Sequence, residues 1–144
     1  MGPATNGVVG SPFAHDELLK AVLAGDLKRV KLLLKRCADV DEPDEGGRTP
    51  LYCAAWKKHV DVLKVLLEYK ADVEKAKHDG TTPLFIAAEN NHTDAMQLLL
   101  EYKAEVDKAE KHGATPLFVA AQKGNTDAMK LLLEYKADVE TGNS

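Results

Sequence analysis

The chain has little of what independent chemistry usually requires. It has two cysteines, Cys37 and Cys53. Their spacing fits neither a disulfide framework nor a CxxC-type zinc site, and it points to reduced thiols in a cytoplasmic protein, with a nuclear location also open. Aromatic residues make up 6% of the chain, and there is a single tryptophan. No run approaches the roughly 18 consecutive apolar residues of a transmembrane helix, so no membrane role is expected. Positive charge is not in excess. The formal net charge is −4, which disfavours the phosphate backbone and so nucleic acid as a partner. The basic spots at Arg29–Lys31, Lys35–Arg36 and Lys57–Lys58 are short and read as solvated helix faces. The first residues, Met1 to Pro12, lack a charged start and an apolar stretch. They read as a disordered leader or a cloning remnant rather than a secretory signal. Gly2 lacks the Ser or Thr that myristoylation wants, because Asn6 stands there. No glycine-rich phosphate loop, HExxH or GxSxG is found.

What the chain does have is periodicity. Thr49-Pro50-Leu51 returns as Thr82-Pro83-Leu84 and as Thr115-Pro116-Leu117, 33 residues apart each time. Ala38-Asp39-Val40 returns at the same period as Ala71-Asp72-Val73, Ala104-Glu105-Val106 and Ala137-Asp138-Val139. Two independent markers sharing one period define a repeat array. Each unit reads as helix, turn, helix and extended loop. Thr49, Thr82 and Thr115 are placed to cap a first helix, with proline at its first position, where a missing N–H costs nothing. Alanine pairs (Ala54-Ala55, Ala87-Ala88, Ala120-Ala121) allow a neighbour to approach closely. Leucine blocks at 66–67, 98–100 and 131–133 mark the second helix. Asp61, Asp94 and Asp127 lie near its start, where the helix dipole favours an acid. Gly47, Gly80 and Gly113 fall where a tight finger must turn. The expected units are about 13–45, 46–78, 79–111 and 112–144. The first lacks Thr-Pro-Leu, as suits an end unit facing water.

The period, the TPL-x-x-AA run, the LLLEYKAD block and the loop glycine resemble the ankyrin-repeat family over residues 13 to 140. The resemblance implies an all-α solenoid of stacked helix pairs joined by β-hairpin-like loops. It also implies protein binding through a concave face built by finger tips and first helices. Three departures stand out. Tyr52, Phe85 and Phe118 replace the family's histidine, and an aromatic ring is not expected to reproduce that histidine's hydrogen bonds. Cys37, Lys70, Lys103 and Lys136 replace the glycine that ends the second helix in a left-handed conformation. Lys58 and Asn91 replace the inter-helix glycine retained as Gly25 and Gly124. Units three and four are nearly identical, which fits duplication or design. The irregular Cys37, Lys58 and Asn91 favour a natural chain.

Candidate partner-contacting residues follow from contrast with the fixed frame. Trp56 aligns with Glu89 and Gln122, and Lys57 with Asn90 and Lys123. Trp56 reads either as packed over Lys57 or a neighbouring unit, or as a groove residue touching a partner; the second reading is preferred, since tryptophan is enriched in interface hot spots. The finger tips carry Glu45, Arg48, His78, Asp79, Thr81, Lys111, His112 and Ala114. A shared zinc between His59 and His92, or between His78 and His112, is opposed by the 8–10 Å spacing of stacked helices. No metal or cofactor is expected. Cys53 lies among core residues and reads as inert, and no residue set meets the requirements of a catalytic site, so the chain is not expected to be an enzyme. Tyr69, Tyr102 and Tyr135 are expected to pack on neighbouring units with hydroxyls in water. The function expected is protein binding, the alternative being a structural segment of a longer solenoid. The last unit keeps the internal pattern, so its outer face should leave apolar atoms wet and invite self-association.

Overall fold

The computed structural model describes residues 12–135 and 137. Its eight helices form four consecutive pairs: α1 (Pro12–Ala24) with α2 (Leu27–Lys35), α3 (Pro50–Lys57) with α4 (Val60–Glu68), α5 (Pro83–Glu89) with α6 (Thr93–Glu101), and α7 (Pro116–Lys123) with α8 (Thr126–Glu134). The expected leader lies outside the described residues, apart from Pro12, which opens α1.

Local chemistry sets the helix starts. Thr49, Thr82 and Thr115 have extended backbones, and each side-chain oxygen accepts the amide hydrogen three residues on, at 3.1, 3.2 and 3.2 Å. These threonines are buried, so no water replaces the bond if it is lost. At the other end, Cys37, Lys70 and Lys103 adopt φ of 67°, 70° and 72°. The following amides of Ala38, Ala71 and Ala104 reach back to Leu33, Leu66 and Leu99 carbonyls. This is the left-handed helix ending expected of a glycine position. Lys136 lies outside the described residues. Lys58 and Asn91, at φ 62° and 58°, make the same turn between helices that Gly25 and Gly124 make.

The first helices form one row and the second helices another. Contacts along the row α1, α3, α5, α7 are more extensive than those along α2, α4, α6, α8. Ala54, Ala55, Ala87 and Ala88 are fully buried in that first row, so small side chains let the backbones close up. The core continues through Leu18, Val22, Leu51, Leu63, Leu66, Leu84, Met96, Leu99 and Leu132, all fully or almost fully buried.

Two second-helix positions show how one pair covers the next. Leu34, Leu67 and Leu100 are at most 5% exposed, whereas their counterpart Leu133 is 44% exposed. This position faces the following pair, which α8 lacks among the described residues. Leu32 is 42% exposed, whereas its counterpart Val65 is 8% exposed; this position faces the preceding pair. On the first helices, Ala121 is exposed and Leu117 and Phe118 half-buried, where Ala55, Ala88, Leu84 and Phe85 are buried. The apolar rear face expected of the last unit is present among the described residues.

Polar side chains join the pairs. His59 Nε2 is 3.1 Å from the Leu23 carbonyl oxygen, and His92 Nδ1 is 2.9 Å from that of Ala55. Asn125, at the same repeat position, donates from Nδ2 to the Ala88 and Glu89 carbonyls, both at 2.9 Å. Each side chain therefore satisfies the open carbonyl end of the preceding first helix. Gly25 makes room for one of them: a Cβ there would lie 2.8 Å from the His59 ring. A second ladder runs through the loops, where Asp41 Oδ1 accepts the Asp72 amide (2.9 Å) and Glu74 accepts the Glu105 amide. Burial raises the Glu74 pKa, and the Glu105 amide opposes that shift.

The fingers differ in detail from the expected hairpins. Each closes by two backbone bonds: Asp44, Lys77 and Glu110 amides donate to the Arg48, Thr81 and Ala114 carbonyls, and the Gly47, Gly80 and Gly113 amides donate back to the Asp44, Lys77 and Glu110 carbonyls. The arms are too short for ladders, and no strand forms among the described residues. Tyr69 and Tyr102 are about 40% exposed. Tyr135 corrects the expectation of free hydroxyls, because its oxygen accepts a bond from Gln97 Nε2 at 3.1 Å.

The left-handed lysines carry a conformational cost that glycine would relieve. Lys70→Gly and Lys103→Gly should each raise unfolding free energy by a few tenths to about 1 kcal/mol, the gain being trimmed by the freer unfolded chain. Urea denaturation of the single variants measures this, and a loss of stability would contradict it.

Candidate protein-binding surface

The surface is built outward from α3. Trp56 is half-buried near the end of that helix. The Lys57 ammonium lies 4.3 Å and the Arg48 guanidinium 5.4 Å from the ring centroid. Both are within the range of cation–π attraction, worth about 0.5–1 kcal/mol at exposed sites. The contact with Lys57 that the sequence allowed is therefore present, and part of the indole is still exposed. Arg48 is aimed by the first finger. Its Nε donates to Asp44 Oδ2 at 2.8 Å, and Asp44 Oδ1 accepts the amides of Gly46 and Arg48 at 3.0 and 2.8 Å. Burial raises the Asp44 pKa, but the backbone and side-chain bonds from Arg48 outweigh it and hold the carboxyl below its ordinary value.

The other two fingers solve the same problem with different carboxylates. In the second, Asp79 Oδ1 accepts the Thr81 amide (3.0 Å) and hydroxyl (2.6 Å), and Lys77 Nζ lies 3.6 Å from Oδ2. Burial pushes the Asp79 pKa up, while the Thr81 bonds and Lys77 bring it below normal overall. In the third, Glu110 Oε1 accepts the His112 and Ala114 amides at 2.6 and 3.1 Å. Asp79 thus shapes its own finger, and Thr81, buried at 8% exposure, offers little to a partner. Glu45, His78, Lys111 and His112 are exposed at the tips. His78 also covers Gly47: a Cβ on that glycine, at φ 88°, would lie 2.6 Å from His78 Cδ2. Lys57, Asn90, Gln122 and Lys123 are exposed and Glu89 is half-buried. The structure brings Arg48, Trp56 and Lys57 into contact. It also joins Asp79 to Thr81, and the Lys111 amide donates to the Asp79 carbonyl at 3.0 Å, while the remaining predicted residues are spaced along the stack.

Tyr52 stands at the position of the replaced histidine. The ring is buried, and Lys77 Nζ lies 5.7 Å from it. Burial is the main cause of its raised pKa. The aromatic residue therefore both fills space and reaches the next finger. Sequence reasoning missed Asp44 and Glu110, whose signal was a carboxylate placed two and four residues before amides of a glycine turn.

Cys53 is fully buried, and burial pushes its thiol up to about 11. That opposes thiolate formation and reactivity. His59 and His92 are engaged with backbone carbonyls. No group of three or more His, Cys, Asp or Glu side chains able to hold a metal is found among the described residues. An open cleft of about 280 Å³ lies between α6 and α8, on the second-helix row away from Trp56. No helix among the described residues is long and apolar enough to cross a membrane.

Paired helices stacked in two rows, with fingers at regular intervals, define a helical repeat solenoid. A family model described as ankyrin repeats (3 copies) matches residues 11–77 and again 69–143, and the chain belongs to the ankyrin-repeat family. The human (Homo sapiens) protein phosphatase 1 regulatory subunit 27 is 43% identical over 51 residues, which is 35% of this chain and 33% of that protein. The chain thus aligns with about a third of that relative's length.

The Asp44–Arg48–Trp56 relay has a pH signature. The Asp44 pKa is lowered from 3.8 on folding, so its stabilisation is present above about pH 4 and is lost as pH falls through the depressed folded value. Trp56 emission should titrate in that acidic range while far-UV circular dichroism holds, and Asp44→Ala should abolish the transition. A midpoint at or above the ordinary aspartate value would contradict the relay.

Proposed function

We propose that this chain is a non-catalytic module that holds a partner protein along a concave face made by the first helices and finger tips. Ankyrin repeats are generally protein–protein interaction modules, and a stack whose first helices pack more closely than its second helices bends toward the first row. The residues we assign to that face are Glu45, Arg48, Trp56, Lys57, Glu89, Asn90, Lys111, His112, Gln122 and Lys123. The observation that carries the proposal is the half-exposed Trp56 ring with Arg48 and Lys57 over it, at a position that holds Glu89 and Gln122 in the following units. A rigid aromatic with its cations already in place suits a binding anchor, because little side-chain freedom is lost on contact. The relative's name as a regulatory subunit supports action by holding another protein, and protein phosphatase 1 is a first partner to assay.

Affinity purification with wild-type chain, Trp56→Ala and the second-helix variant Lys64→Glu sorts partners by face. A cognate partner should be retained by Lys64→Glu, and calorimetry should show Trp56→Ala weakening it by about 2 kcal/mol or more with little change in melting temperature. Equal binding by wild type and Trp56→Ala would place the contact elsewhere.

The exposed Leu133 and Ala121 favour a second reading, that the rear face of α7 and α8 receives a further unit of a longer stack or a second copy. Leu133→Glu should abolish any concentration-dependent rise in mass seen by analytical ultracentrifugation. Unchanged association in that variant would contradict a rear-face contact.

A further inference from the structure

The charge pattern of the second helices inverts at one end of the stack. The position of Lys28 is held by Asp61, Asp94 and Asp127 in the later units, and that of Lys35 by Glu68, Glu101 and Glu134. These two positions lie one helical turn before and after Leu32, Val65, Leu98 and Leu131, and share a face with them. That face meets the preceding pair: Val65 is 8% exposed, whereas Leu32, with no preceding pair among the described residues, is 42% exposed. In α2 the exposed leucine is therefore ringed by cations where every other unit carries acids. Lys28, Arg29, Lys31, Lys35 and Arg36 are all exposed, and among the described residues only Arg29 is ion-paired, with Glu17. A chain of net charge −4 concentrates five cations on one short helix and its cap.

We propose that this face of α2 is a second docking site, distinct from the Trp56 surface, for an acidic amphipathic helix of a partner protein. The stack itself shows the geometry. Asp94 and Gln97 of α6 line one cleft with Asp127, Lys130, Leu131 and Glu134 of α8, so in this pair the Gln97 position meets the acidic positions of the next unit. The equivalents of Gln97 are Lys31, Lys64 and Lys130, complementary to acids. The occupant of the α2 face must present carboxylates around an apolar side chain. The apolar centre separates this site from one made for a phosphate backbone. The net negative charge of the whole chain disfavours an anionic bilayer.

The test uses the full chain and a fluorescently labelled helical peptide of repeated Glu-Leu-Leu-Glu-Ala-Leu-Glu heptads, with its lysine counterpart as control. Anisotropy should show binding of the acidic peptide alone, weakened strongly between about 0.05 and 0.5 M salt. Lys28→Glu with Lys35→Glu should weaken it at least about tenfold and Leu32→Ala several-fold, both with wild-type melting curves. Trp56→Ala should leave it unchanged, which separates this site from the concave surface. Equal binding of the lysine peptide overturns the proposal, as does no binding or indifference to the Lys28 and Lys35 reversals. A preference for phosphatidylserine vesicles or random-sequence duplex DNA over the acidic peptide also overturns it.

Discussion

The stack depends on how each pair closes the open end of the one before it. A short first helix leaves carbonyls without partners where it stops. Here His59, His92 and Asn125 supply donors from the following unit to Leu23, Ala55, and Ala88 with Glu89. A helix of seven or eight residues, such as α3, α5 or α7, is too short to persist alone. Its end is completed by its neighbour, so the units are interdependent in both burial and hydrogen bonding. The alanine pairs serve the same arrangement by letting the first helices approach to the distance the latch requires.

This organisation separates frame from surface. Thr49, Thr82 and Thr115, the alanines, the leucines and the latching side chains face inward or toward a neighbouring unit. The outward positions at Trp56, Glu89 and Gln122 answer to none of these constraints, which is why they differ while the frame repeats. A frame tied by contacts at every 33 residues holds such side chains at fixed spacing. Spacing is what a binding surface needs if ordering costs are to stay low. Tyr52 shows the two roles meeting: the ring is buried with the core, yet Lys77 of the next finger lies over it.

Much of this was legible in the residues. The Thr-Pro starts, the leucine blocks and the left-handed lysines each follow from a local rule, and repetition multiplied the signal. The latch was not legible in advance. His59 and His92 were read only as metal candidates and set aside, because their use depends on a carbonyl 36 or 37 residues earlier. The finger carboxylates escaped for a different reason: Asp44 and Glu110 share a repeat position, but the second finger uses Asp79, two residues later, so no periodic signal marks them. Trp56 was legible as unusual. Its place beneath Arg48 needed Asp44 to orient the guanidinium, a contact visible only in three dimensions.

Native-state hydrogen exchange on wild type and His92→Ala tests most directly whether the latch couples the units. If the His92 bond to Ala55 carries the coupling, its removal should lower amide protection through α5 to α8 together, with α1 to α4 less affected. A loss confined to the amides beside residue 92, with α7 and α8 protected as before, would contradict that account.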